Sequence, residues 1–156
     1  MLSRIHSSTI IGIDAVLCEV EVDAARGGLQ KDIVVGLPDT SVKESIERVR
    51  SAITNCGYDY PDKASVINLA PAEIKKEGAS FDLPISIGIL IGQGILRSEK
   101  VKEAVIVGEL ALDGRVRPIR GALATTIMAK KNGFKTVIVP AENVREAAVV
   151  SDIDVI

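Results

Sequence analysis

Aromatic residues are nearly absent: two Tyr, two Phe and no Trp make up 3% of 156 residues. A core without large rings must be filled by Ile, Val, Leu and Ala. The chain is 47% hydrophobic, enough for one domain with a full core. Such β-branched filling suits an α/β domain. The only cysteines, Cys18 and Cys56, and the only histidine, His6, are too few for a structural zinc site. Cys18 in an apolar alternation and Cys56 at a helix end both read as small core residues, reduced thiols of a cytoplasmic protein. Neither sign of charge dominates. A net charge of −2 gives no global nucleic-acid signature, so any DNA contact must come from a local patch. The N-terminus lacks the apolar run of a signal peptide. Phe81 to Leu96 is apolar but broken by Gly88, Gly92, Gln93 and Gly94, and is too short for a bilayer of roughly 20 residues. No membrane partner is expected. Equally missing are Gly-x-x-x-x-Gly-Lys-Ser/Thr, Gly-x-Ser-x-Gly and any His or Cys pair at metal spacing. This chain by itself is therefore expected to hold no ATP, metal or other cofactor.

What is present centres on residues 70–90. A charged loop turns at Gly78, and from Phe81 onward only Asp82 carries charge. Ser80 stands where an N-cap belongs, with Asp82 in the first turn and Pro84 behind it. A helix over 81–96 with no polar face must be buried, with a sheet wrapped around it.

Before it, residues 3–13 read as a strand turning near Gly12. Val16, Cys18, Val20 and Val22 alternate with Glu19, Glu21 and Asp23, a strand with one packed face and one in water. Ala25-Arg26-Gly27-Gly28 supplies a hairpin turn, and Ile33-Val34-Val35 returns as the partner strand. A helix follows Gly36-Leu37-Pro38-Asp39, capped by Ser41 with Glu44 or by Asp39. Its core face is Val42, Ile46, Val49 and Ile53; Glu44, Glu47, Arg48 and Arg50 form a solvated face, and Gly57 ends it.

Val66 to Leu69 is a short strand. After the central helix, Val105 to Leu110 is a strand with a turn at Asp113-Gly114 and a return through Val116. A helix from Arg120 to Lys131 places Leu123 and Ile127 in the core. Thr136 to Pro140, Asn143 to Val149 and Ile153 to Ile156 read as strand, helix and strand. This alternation predicts right-handed crossovers with helices on one or both faces. The expected fold is an α/β or α+β two-layer domain.

Two features carry chemistry. Ser80, at a turn before a helix, has the place of a nucleophile whose oxyanion would meet helix N–H groups, with Lys75 or Lys76 as base; the simpler role is the cap. Arg115, Arg117 and Arg120 lie within six residues. Arg115 and Arg117 share one side of a return strand and Val116 points inward, which makes a basic ridge. Lys75-Lys76 and Lys130-Lys131 are the other basic pairs.

Lys76-Glu77-Gly78-Ala79-Ser80 resembles the Lys-Asp-Gly-Pro-Ser turn that bears the nucleophile of Lon-type proteases. Gly108 to Ile119 and Gly133 to Pro140 resemble two further Lon blocks in the same order. The resemblance implies the ribosomal protein S5 domain 2-like fold, as in the Lon protease C-terminal domain. It also exposes a departure. Where those enzymes place the catalytic lysine after Pro-Ile-Gly-Gly-Leu, this chain has Leu123 after Pro118-Ile119-Arg120-Gly121-Ala122.

Across the whole chain, the opening Ile10-Ile11-Gly12-Ile13-Asp14-Ala15, the segment Ile33 to Ser45 and Asn68 to Gly78 resemble the N-terminal domain of the ComM/YifB-type, magnesium-chelatase-like AAA+ ATPases. That resemblance implies a single Lon-like domain over 1–156, with an AAA+ module, ATP and Mg²⁺ belonging to a longer protein. It also implies a ring, as a hexamer, and DNA branch migration during natural transformation. Three roles stay open: an accessory domain giving subunit or DNA contacts, a serine peptidase or its remnant, and a domain that only assembles the ring.

Overall fold

The alternation of the first half builds the longest ladder. In the computed structural model, which describes every residue except Arg26 and Leu29, β1 (Leu2–Ile11) and β2 (Asp14–Asp23) pair antiparallel along their whole length. The remaining elements follow as β3 (Ile33–Val35), α1 (Thr40–Asn55), β4 (Val66–Ala70), α2 (Asp82–Gly92), β5 (Ala104–Ile106), β6 (Glu109–Leu110) and β7 (Val116–Arg117). The chain closes with α3 (Ala122–Lys131), β8 (Thr136–Ile138), α4 (Val144–Ala147) and β9 (Asp154–Val155). The main sheet runs β3-β4-β2-β1-β5-β8-β9, with β6 and β7 as a separate hairpin. Within that sheet β2 alone is antiparallel to its neighbours; every other described pairing is parallel. Three of the parallel steps pass through one α-helix each, β3 to β4 through α1, β5 to β8 through α3 and β8 to β9 through α4, whereas β1 and β5, also parallel neighbours, are separated in the chain by everything from β2 to α2.

Strand parity assigns the helices to faces. Cys18, Val20, Val22, Ile67, Leu69, Ala104 and Ile106 meet α1 and α2 in one core. Val105, Val107 and Val137, from the opposite parity, meet Ala122, Met128 and Ala129 of α3 and Ala147 of α4 in a second. The α/β class is as expected, and the layers number three where α3 and α4 lie. The alternation of β2 is likewise only half solvated: Ala15 and Leu17 pack under α3, while Glu19, Glu21 and Asp23 are half-buried.

Several local expectations are corrected. Ile33–Val35 does not return beside β2; it pairs parallel with β4, which sits between them. A parallel partner is reached through a helix, and α1 supplies that crossover. The expected turn at Ala25-Arg26-Gly27-Gly28 includes Arg26, outside the described residues. In α3, Leu123 and Ile127 face outward at 37% and 41% exposure, whereas Ala122, Thr125, Thr126, Met128 and Ala129 are buried. Small and hydroxylic side chains let α3 approach the sheet, where Ser8 and Thr125 share a 2.8 Å hydrogen bond. Cys56 is exposed beyond the end of α1, and only Cys18 is a core thiol.

Helix α1 is capped by Asp39, whose Oδ1 accepts from Val42 N–H at 2.8 Å, so the Ser41 box is not used. The segments before β3 and β4 are fastened by Asp32. Its carboxylate accepts from Arg50 Nη2 and Tyr60 Oη at 2.8 Å and from Ser65 N–H at 2.6 Å. Burial, then the Asp32 charge, pushes the Tyr60 hydroxyl well above the ordinary tyrosine range. In the unfolded chain Tyr60 ionises near pH ~10, while the folded chain keeps its proton. Stability is thus expected to fall as pH rises above about 10. Urea titrations across that range should show a shallower fall for Tyr60→Phe; an equal fall would remove Tyr60 as a source.

Candidate functional site

The turn at Gly78-Ala79-Ser80 lies where α2 begins, beside the end of β5. Ser80 carbonyl accepts from Gly108 N–H at 2.9 Å, and Leu83 N–H donates back to Gly108 carbonyl at 3.0 Å. This reciprocal pair fixes the start of α2 to the segment joining β5 and β6. It also explains why Ser80 is not the cap. Phe81 occupies the N-cap position and no side chain caps the helix. Asp82 N–H is taken by Ala79 carbonyl at 3.2 Å, Leu83 N–H by Gly108, and Pro84 has none to satisfy. With the orphan donors already met, the Ser80 hydroxyl has no capping work. It makes no hydrogen bond among the described residues, although the side chain is half-buried. Ser80→Ala is therefore expected to change unfolding free energy by less than about 0.5 kcal/mol. A loss of a kcal/mol or more in denaturant titration would reveal a partner for the hydroxyl.

The expected bases separate. Lys75 is exposed and pairs with Glu77 at 3.6 Å. Lys76 is fully buried, which removes it from any surface patch. Its ammonium donates to the carbonyl of Gly36, at 2.8 Å, and to that of Pro71. Its own backbone joins in: Lys76 N–H donates to Leu37 carbonyl and Lys76 carbonyl accepts from Asp39 N–H. The apolar stem and the carbonyl partners together lock this loop against the segment after β3. Desolvation lowers the Lys76 pKa, with Cys18 and Glu73 acting the other way. A depressed pKa suits a base, but a base must reach the proton it takes, and no contact joins Nζ to the Ser80 hydroxyl. Leu123, where the resemblance to Lon-type proteases leads one to expect a lysine, lies exposed on α3 and presents only methyl groups.

The arginines sit on the β6–β7 hairpin and just after it. Arg115 donates through Nε to Asp113 Oδ2 at 2.8 Å, and Asp113 Oδ1 accepts from Arg115 N–H at 3.0 Å. These bonds hold the Asp113 carboxyl below its ordinary range. Arg117 stands opposite Glu109 in the ladder. Arg120 is exposed and forms no ion pair among the described residues. Val116 and Leu110 face each other across the hairpin. Leu110 is buried, but Val116 is 39% exposed, because it edges an apolar groove shared with Ile53, Tyr58, Ile87 and Leu90. Of the second basic pair, Lys130 lies 3.7 Å from Asp152.

Charge pattern alone misplaced Arg48, expected on a solvated face. Arg48 grips Asp82 with Nε at 2.6 Å and Nη2 at 3.0 Å, and Nη2 also donates to Ser41 carbonyl at 2.8 Å. Asp82 is fully buried and accepts from Leu110 N–H at 3.1 Å. One carboxylate thus joins α1, α2 and the arginine-bearing hairpin. The signal was available: Asp82 is the sole charge in an otherwise apolar helix, and a buried charge demands a partner.

No glycine-rich phosphate loop exists in the sequence, and no group of three His, Cys, Asp or Glu side chains among the described residues is placed to hold a metal. No helix of the described residues is long and apolar enough to cross a membrane.

Known proteins place this architecture. The chain is 44% identical over 150 residues to YifB of Escherichia coli K12, covering 96% of this chain and 29% of that protein. It is 40% identical over 151 residues to competence protein ComM of Haemophilus influenzae, covering 97% and 29%. Lon protease 1 of Hydrogenovibrio crunogenus is 34% identical over 116 residues, 72% of this chain and 14% of the protease. The chain thus spans about three tenths of the length of YifB and ComM. Residues 20–143 match the model of subunit ChlI of Mg-chelatase. This chain belongs to that ChlI family.

Proposed function

We propose that this chain is a non-catalytic accessory domain of a magnesium-chelatase-like AAA+ ATPase, giving contacts to DNA or to neighbouring subunits in a protein that acts in branch migration. The observation that carries the reading is the missing base. Ser80 keeps the place of a Lon nucleophile, Leu123 stands where the lysine would be, and Lys76 is committed to two backbone carbonyls. A serine hydroxyl without a base in reach is a poor nucleophile near neutral pH. ATP, Mg²⁺ and ring formation belong to the longer protein in this reading. The work takes place in the cytoplasm, where the DNA is.

Peptide hydrolysis by the purified chain tests the first half. No turnover is expected, and Ser80→Ala should match the unaltered chain. Turnover abolished by Ser80→Ala would restore the peptidase reading.

The second half rests on Arg115, Arg117 and Arg120, which would hold phosphates without reading sequence. Arg115 already has Asp113 as partner and Arg117 faces Glu109, so each domain should bind weakly and act through avidity. In the full-length protein, changing all three to Ala should weaken DNA binding. It should also flatten log K against log salt by about 0.7–0.9 for each phosphate left unneutralised. An unchanged slope would assign the ridge to subunit packing.

A further inference from the structure

The second face of the sheet is covered along only part of its width. Helix α3 lies on β1, β8 and the first half of β2, where Leu17 and Ala15 pack beneath it. His6, with its ring 4.9 Å from Phe134, marks the margin. Beyond it the face is open across β2, β4 and β3. Register sets its side chains in rows: Leu2, Asp23, Val66 and Ile33 form one, and Arg4, Glu21, Asn68 and Val35 the next.

Two properties make this face unlike an ordinary solvated one. First, β3 and β4 are a parallel pair, and parallel strands are normally covered on both sides. Here α1 covers one side only, and Ile33 and Val35 stand 37% and 42% exposed at the sheet edge. Leu2, at the other end of the first row, is 51% exposed. Second, the strip between them is acidic. Among the described residues, Glu19 and Glu21 of β2 share one guanidinium, Arg4, at 3.9 Å and 3.2 Å, His6 Nε2 lies 3.8 Å from Glu19, and Asp23 has no ion pair. Hydrogen bonds from Asn68 and Arg4 hold the Glu21 carboxyl below its ordinary range, so it stays anionic at neutral pH.

We infer that this open half-face is a docking surface for a basic amphipathic helix from a protein partner, lying where α3 lies on the other half. Its apolar residues would cover Ile33, Val35 and Val66. Its lysines or arginines would reach the carboxylates of β2, three acids that have between them the one guanidinium of Arg4 among the described residues. An acidic or wholly apolar segment would desolvate those carboxylates while adding no positive charge to that of Arg4, which is costly. The charge of the strip therefore selects the partner. The site is separate from the arginine hairpin and from Ser80, and stands or falls without them.

The test is a titration of the ¹⁵N-labelled chain with a synthetic 14-residue helical peptide bearing leucines at i, i+3, i+4 and i+7 and lysines beside them. Amide shifts are expected in β2, β3 and β4. Binding should weaken at least tenfold when the peptide's lysines become glutamates, or with the Val35→Lys variant or the Glu19→Gln, Asp23→Asn pair. If Val35→Lys fails to fold, the charge-reversed peptide on the unaltered chain decides. Shifts mapping elsewhere, or insensitive to peptide charge, would overturn the inference. So would shifts of the same amides with protein concentration alone, which would give the face to a second copy of the chain.

Discussion

Asp82→Ala is expected to destabilise the domain by about 3–5 kcal/mol, the range for removing one partner of a buried ion pair. Three losses coincide. Arg48 keeps its charge but loses a two-pronged acceptor at 2.6 and 3.0 Å. Leu110 N–H, buried, loses its acceptor at 3.1 Å. The carboxylate leaves a void at a fully enclosed position. Since domains of this size are stable by only about 5–15 kcal/mol, the variant should sit close to its unfolding threshold. Asp82→Asn should lose less, because a side-chain oxygen still meets Leu110 N–H. The double variant Arg48→Met, Asp82→Leu should recover much of the loss, since an apolar pair leaves no charge uncompensated. Denaturant midpoints for all three decide it. A double variant no better than Asp82→Ala would mean that the hairpin, rather than the stranded charge, carries the energy. The consequence for function is local: the pair ties the hairpin bearing Arg115 and Arg117 to α1 and α2, so under the proposed role of that hairpin DNA affinity should drop with it.

Gly36→Ala should be comparably damaging, by about 3 kcal/mol or more, from overpacking together with a strained backbone. The residue has φ +102°, and an added Cβ would fall 2.0 Å from Leu69 carbonyl oxygen and 2.9 Å from its carbon. Both belong to the backbone of β4, which cannot yield as a flexible side chain would. Moreover, Gly36 carbonyl is one of the two acceptors for buried Lys76, so displacement loosens the loop leading to Ser80. Gly133→Ala is the control. Its φ is +81°, but nothing lies within 4 Å of the added carbon, so only the conformational cost of about 1 kcal/mol applies. Thermal unfolding of both variants, with amide exchange at Ile67 to Leu69, should show the large loss only at Gly36. Equal losses would mean that β4 gives way easily.

Chain order and class were legible because they depend on local periodicity. Val16 to Val22 alternates with period two, and the central helix has no polar face, so each declared its type. The hairpin at Asp113-Gly114 was legible for a similar reason: a short loop sets its own register. Pairing beyond neighbours was not. Nothing within Ile33-Val34-Val35 states whether it returns beside β2 or crosses through α1 to β4, since either arrangement buries Val34. Similarly, α3 reads equally well with Leu123 and Ile127 inward. Only the close approach of the sheet, set by Ser8 and Thr125, selects the small-residue face.

The site divides in the same way. The sequence by itself determined that Ser80 has no lysine at position 123, that no phosphate loop is present, and that Asp82 needs a partner, because these depend on which residues exist. Tertiary structure alone decided that the partner is Arg48, that Lys76 is enclosed while Lys75 is exposed, and that Gly108 backbone relieves Ser80 of capping. It also decided which half of the sheet's second face lies open. Charge and hydrogen-bonding capacity are properties of a residue and can be read one at a time. Desolvation and partnership are properties of a neighbourhood, and most of the interactions that set them join residues tens of positions apart in the chain.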